Sequence, residues 1–183
     1  DAHRLRPAIV TVTFSEDGTW AAALQLNLEA LLAGIGPEHE DTSQAPQAGV
    51  YNALRELPPD ELRARFDELA PRLLTGIDLR FDGRRVTPGL KALDIPAVGD
   101  LGVERLTTIR FAGDIPPGSA AFTWRYAPEY GESALRLAMP GGGIVRADWL
   151  MAGQASAPFQ LDPKLVPVRT TADVFRDYTV LGF

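Results

Sequence analysis

The spacing of the apolar residues changes twice along this chain of 183 residues. Over residues 8–26 apolar side chains alternate with others, and a turn sequence at residues 16–18 divides this run, which predicts a β-hairpin. From about residue 28 to 75 the apolar spacing is helical, and from Ile77 onwards it returns to alternation. A sheet that begins, gives way to helices and then resumes is the fold that this pattern predicts.

The strands expected after Ile77 are short and recur roughly every 8–12 residues, with turn sequences between them. They are expected at residues 77–81, 106–112, 121–126, 133–139, 144–151 and 159–161. This spacing is typical of a sandwich. We therefore predict a mainly β fold: an immunoglobulin-like antiparallel β-sandwich over residues 1–161, with a helical insertion at about 28–75 and a C-terminal tail at 162–183.

Within the insertion, the spacing predicts a helix from Leu28 that ends at Gly34. A second helix is expected to open at Pro58-Pro59, because proline is tolerated in the first turn of a helix. Pro71 is expected to kink or restart that helix, since an internal proline removes a backbone hydrogen bond.

Composition excludes several function classes. The chain has 24 acidic against 18 basic residues and a net charge of −6, whereas a nucleic-acid binder needs a clustered basic face. It has no cysteine, which excludes disulfides and thiolate chemistry. With only two histidines and no Gly-x-Ser-x-Gly sequence, nothing selects a nucleophile and base, so we predict no enzyme activity.

The first three residues, Asp1-Ala2-His3, point to a metal site. The amine of Asp1, the backbone amides of Ala2 and His3 and the imidazole of His3 supply four in-plane nitrogens. This is the geometry that suits Cu(II) or Ni(II). The site requires that Asp1 is the mature N-terminus; the alternative is a frayed terminus without a ligand.

The other histidine, His39, lies in an acidic loop. A binding site there would use His39, Asp41 and a distant group, for which His3 is the obvious candidate if the first strand begins beside the insertion. The alternative is a solvated acidic loop with an exposed histidine. Met139 and Met151 are soft potential ligands, but we expect both in the core.

Four stretches resemble the exported N-terminal region of HupE/UreJ-like bacterial membrane proteins. They are HRLRPA at 3–8, LNLEALLAGI at 26–35, EHEDT at 38–42 and YTVLGF at 178–183. The resemblance covers essentially the whole chain. It implies a periplasmic domain tethered to the bacterial inner membrane by helices that would follow residue 183, with a signal peptide before residue 1. The family name comes from proteins associated with nickel supply, so a metal cargo is an analogy.

We therefore predict a periplasmic domain that captures Cu or Ni for the membrane part of the same protein. One alternative is an interaction ectodomain without metal, which would dock a periplasmic protein through the insertion and the apolar tail. Another is a sugar- or peptide-binding sandwich that uses Trp124 and Tyr130 as a platform, although alternation favours Trp124 in the core.

Overall fold

The computed structural model describes residues 5–39, 41–170 and 172. The strands of this part of the chain are β1 Ala8–Phe14, β2 Thr19–Leu26, β3 Ile77–Phe81, β4 Arg84–Val86, β5 Gly89–Asp94, β6 Thr107–Asp114, β7 Ala121–Tyr126, β8 Ser133–Ala138, β9 Ile144–Leu150 and β10 Phe159–Gln160. The α-helices are α1 Leu28–Ala33, α2 Ala48–Arg55 and α3 Pro59–Gly76, and short 3-10 turns occur at Thr42–Gln44, Pro128–Tyr130 and Pro163–Leu165.

The strands form two sheets that share a core. One has six strands in the order β5-β6-β2-β1-β8-β9, and the other has four in the order β10-β7-β3-β4. Phe14 of the first sheet meets Phe122 of the second, with ring centroids 5.2 Å apart. The prediction of a mainly β sandwich with a helical insertion is confirmed. One pair departs from the antiparallel rule, because β1 and β8 run parallel.

The core follows from the alternation read in the sequence. In β1 every second side chain is buried, as expected for a strand with one face on the core. Helix α3 covers the core with the apolar stripe Leu62, Phe66 and Leu73, which recurs at helical spacing and is buried. The insertion is therefore packed onto the sandwich.

The start of the insertion is fixed by local hydrogen bonds. Asn27 caps α1, since its side-chain oxygen accepts from the backbone N–H of Ala30 at 3.0 Å. Gly34 ends the helix in the left-handed conformation with φ of 73°, as predicted. The expectation that Pro71 restarts the second helix is wrong, because α3 runs unbroken from Pro59 to Gly76. Its apolar stripe on both sides of Pro71 packs on the same core, which holds the two halves in one helix.

The first part of the predicted tail packs on the sandwich. Leu165 is buried in the main core, and the backbone N–H of Gly118 donates to the carbonyl of Pro167 at 2.9 Å. The rest of that tail, residues 171 and 173–183, lies outside the described residues. None of the described helices has both the length and the apolar content that a membrane span requires.

Candidate functional site

A cleft of about 260 Å³ lies at the end of the sandwich where β1 begins and β2 ends. We call it the His39 cleft. Its lining comes from the segment before β1, from the adjoining ends of β1, β2 and β7, from the insertion and from the loop between β7 and β8. These residues are Leu5, Arg6, Pro7, Ala8, Leu26, Asn27, Ala30, Leu31, Ile35, Pro37, His39, Tyr126, Glu129, Tyr130, Gly131 and Glu132.

His39 is held at this cleft by its loop. Its backbone N–H donates to the carbonyl of Gly36 at 3.2 Å, and its side chain is 26% exposed. The imidazole Nε2 lies 3.5 Å from Oε1 of Glu38. The imidazole is thus partly enclosed and has a carboxylate beside it, rather than standing free in an open loop.

The N-terminal segment reaches the same cleft. Leu5 packs against a small buried cluster made by Ala30, Ile35, Ala45 and Tyr51. Arg6 follows it along the cleft wall. The first strand therefore begins beside the insertion, which is the condition set in the sequence analysis for His3 and His39 to approach one another. Asp1, Ala2 and His3 themselves lie outside the described residues.

The side chain of Asp41 makes hydrogen bonds within its own loop. Its Oδ1 accepts from the backbone N–H of Ser43 at 2.8 Å and from the Ser43 hydroxyl at 2.7 Å, which caps the 3-10 turn that follows. It is not among the described residues that line the His39 cleft. Within the described residues no three histidine, aspartate or glutamate side chains form a group that could hold a metal ion.

A buried polar cluster lies beside the cleft. The side-chain amide of Asn27 donates to the Tyr51 hydroxyl and to Oε1 of Glu104, both at 3.0 Å. Burial raises the pKa of the Tyr51 hydroxyl, against the opposing effect of the bond from Asn27. This hydroxyl is therefore a neutral partner for Asn27 at physiological pH.

Glu104 connects this cluster to the N-terminal segment. Its side chain is 7% exposed, and its Oε2 makes no hydrogen bond within the described residues. The guanidinium Nε of Arg6 lies 3.6 Å from that oxygen, while the Arg6 side chain is 73% exposed. Arg6 thus joins the cleft wall to a buried carboxylate.

A second ion pair connects the insertion to the loop before β6. Arg105 donates from Nε to Oε1 of Glu29 at 2.6 Å, and both side chains are buried. The same guanidinium donates to the carbonyl of Leu54, in the last turn of α2, and to that of Leu57, just beyond the helix. Neighbouring Arg55, at the end of that helix, donates to the carbonyl of Val103 at 2.6 Å.

The sequence alone did not identify the buried ion pair of Glu29 and Arg105. The signal was a glutamate inside an apolar helical run at residues 28–32, since Glu29 is a charged residue in a buried stripe. Its partner Arg105 is 76 residues away, and no local pattern connects the two.

Two expectations about aromatic and sulfur side chains have different outcomes. Trp124 is fully buried, so the preference for a core position is confirmed and its ring offers no platform to a sugar. Met139 packs against the core as expected, but the same expectation for Met151 is wrong because that side chain is 58% exposed. Met151 directly follows β9, an edge strand, where the sheet no longer covers it.

No protein-family model matches this chain, and no curated protein matches it.

Proposed function

We propose that this domain binds a divalent transition metal, Cu(II) or Ni(II), at the His39 cleft. The imidazoles of His39 and His3 are the principal ligands. In a chain that begins with a free Asp1 amine, that amine and the amides of Ala2 and His3 complete a nitrogen donor set. The proposed function is binding, without catalysis.

The observation that carries the proposal is the shared lining of the cleft by Leu5 and His39. In the sequence His3 is only two residues before Leu5, and consecutive Cα atoms are about 3.8 Å apart. Because Leu5 is packed against the cluster of Ala30, Ile35, Ala45 and Tyr51, we propose that the short stretch of chain before it lets the His3 imidazole share an ion with that of His39. Two imidazoles so tethered bind one ion with a smaller entropic cost than two free segments would.

The charges around the cleft favour a cation. Glu129 and Glu132 line it, and Glu38 stands beside the imidazole of His39. Arg6 is the opposing positive charge, but Glu104 lies 3.6 Å from its guanidinium. Carboxylates near a bound divalent ion lower its electrostatic energy, and they also attract it from solution.

Metal affinity should fall as the pH falls, because imidazole and amine nitrogens must lose a proton before they bind a metal. The periplasmic location, the tether to the inner membrane and the delivery of metal to a membrane part of the same protein belong to this proposal. They rest on the resemblance to HupE/UreJ-like proteins alone.

The test is a calorimetric titration of Cu(II), and separately of Ni(II), into the untagged chain near neutral pH. Three variants accompany the parent: His3→Ala, His39→Ala and, as a control in the β1–β2 turn, Glu16→Gln. We expect one ion per chain, and for each histidine variant at least about tenfold weaker binding, the effect of losing about 1.4 kcal/mol. The control should bind like the parent.

A fourth variant separates the contribution of the Asp1 amine from that of the two imidazoles. One alanine added before Asp1 removes the amine from the chelate but leaves both histidines, so we expect weaker but detectable binding. Equal affinity in the parent and in His39→Ala would remove the cleft from the proposal. Absence of binding in every sample would leave the interaction ectodomain as the function to examine.

A further inference from the structure

One of the two edge strands of the six-stranded sheet, β9, carries several exposed apolar side chains. Strand β9 pairs with β8 on one side, and no described strand pairs with the other. Ile144, Val145, Trp149 and the adjoining Met151 are each more than half exposed. An edge strand with exposed apolar side chains is a template for pairing with another strand.

We propose that β9 pairs with β9 of a second copy of this chain, antiparallel and centred on Ala147. The two six-stranded sheets would then form one continuous sheet across a two-fold axis. Such an interface is self-complementary, as two-fold dimers require. The argument for this occupant comes from the charges on the strand.

Arg146 and Asp148 flank the proposed centre. With Ala147 opposite Ala147 of the second copy, Arg146 of each chain lies directly opposite Asp148 of the other. Directly opposite residues of an antiparallel pair have their Cβ atoms about 4.5–5.5 Å apart, and opposite charges there are favourable. The strand therefore carries both halves of a complementary pair.

The same two residues disfavour the neighbouring registers. Moving the two-fold centre to Arg146 places two arginines opposite each other, and moving it to Asp148 does the same with two aspartates. Like charges directly opposite destabilise a strand pair. The register centred on Ala147 avoids both conflicts, and it brings Val145 beside Trp149 of the second copy.

Within one chain the two charged side chains are in contact with each other, and Arg146 Nη1 also donates to the carbonyl of Pro158 at 3.2 Å. Arg146 Nη2 lies 2.6 Å from Asp148 Oδ2, and the side chains are 24% and 28% exposed. Yet Asp148 Oδ2 is a buried atom that makes no hydrogen bond within the described residues. The guanidinium of a second copy would supply a donor to this carboxylate.

The test measures the mass of the untagged chain by sedimentation equilibrium over a wide concentration range. The parent is expected to form a dimer in a concentration-dependent manner. Arg146→Asp and Asp148→Arg should each shift dissociation to higher concentration, at least about tenfold, because each places like charges opposite. The double variant carrying both exchanges should dimerise again, since it restores opposite charges in the same register.

A matched control lies on the other edge of the same sheet. Lys91 is exposed on β5, so Lys91→Glu reverses a charge on an edge strand without touching β9, and it should leave dimerisation unchanged. Trp149→Glu is a further variant at an exposed site, and it should weaken the dimer without unfolding the chain. If a charge-exchange variant does not fold cooperatively, the dimerisation of Trp149→Glu still tests whether β9 forms the interface.

A parent chain that stays monomeric at every concentration would overturn the proposal. So would dimers that persist unchanged in the single exchanges and in Trp149→Glu, because another surface would then form the interface. Failure of a folded double exchange to recover the dimer would reject the register centred on Ala147. This proposal does not depend on metal binding, and each can fail alone.

Discussion

Arg105 and Glu29 are 76 residues apart in the chain, yet Nε of one donates to Oε1 of the other at 2.6 Å. The side chains are 8% and 1% exposed, so both charges are removed from water. The pair joins α1 to the loop that precedes β6. Because Arg105 also donates to the carbonyls of Leu54 and Leu57, in and just after the last turn of α2, one guanidinium connects three segments around the insertion.

Glu29→Gln should destabilise the protein by about 3–5 kcal/mol, because it leaves the buried Arg105 without its counter-ion. Urea unfolding measures the loss. Arg110 and Asp94 form the control, as their ion pair at 3.1 Å is more than half exposed on both sides. Asp94→Asn should cost about 0–1 kcal/mol. Equal losses in the two variants would mean that the buried pair has no special role in stability.

Gly113→Ala should destabilise the protein by about 1–3 kcal/mol through overpacking. Gly113 lies opposite Trp20 in the β2–β6 pair, and a Cβ there would come within 2.9 Å of the indole ring. Trp20 is buried, and close packing in a protein core limits how far its ring can shift. The measurement is the free energy of unfolding of the variant and the parent.

Gly49→Ala is the matched control for that substitution. Gly49 lies in α2, and a Cβ added there meets no atom within 4 Å. Alanine in an open helical position should stabilise by about 0.4–1 kcal/mol. If both alanines destabilise to the same degree, the contact with Trp20 does not explain the effect at Gly113.

Stability should depend on pH through Asp78. Its carboxylate accepts from Arg80 Nε at 2.8 Å and from Nη2 at 3.0 Å. The bond from Arg80, aided by the positive charge of Arg80, Arg85 and Arg125, lowers the pKa of Asp78 below its ordinary value of 3.8.

A carboxyl whose pKa is lowered on folding stabilises the native state above its unfolded pKa. This contribution is lost as the pH falls from 3.8 through the lower native value. Asp78→Asn should therefore be less stable than the parent near neutral pH, and the difference should shrink in strong acid. Unfolding free energies measured across this range test it. A deficit independent of pH would show that packing, and not charge, is lost.

The sequence predicts the strands well where one face is buried. Alternation over Ala121–Tyr126 gives β7 with the bounds that the structure has, since Phe122, Trp124 and Tyr126 all point to the core. The start of α3 is equally clear, because Pro59 at its first position is a local signal. The bounds of β7 and the start of α3 depend on residues that are close together in the sequence, so a local sequence pattern is enough to predict them.

Features that depend on distant residues were not predictable in this way. The parallel pairing of β1 with β8 joins segments more than a hundred residues apart, and no periodicity specifies a neighbour in a sheet. The contacts of Asn27 with Tyr51 and Glu104 are of the same kind. For the candidate site, the sequence identified His39 but not the cleft, which exists only once Leu5 and the β7–β8 loop come together.

Anomalous scattering from crystals of the untagged chain soaked with a copper salt tests the central claim most directly. We predict one strong copper peak in the His39 cleft, about 2 Å from an imidazole nitrogen of His39, as metal–nitrogen bonds require. A nitrogen of the N-terminal segment should lie at a similar distance from the same peak. Copper bound elsewhere, with the His39 imidazole left unliganded, would contradict the account.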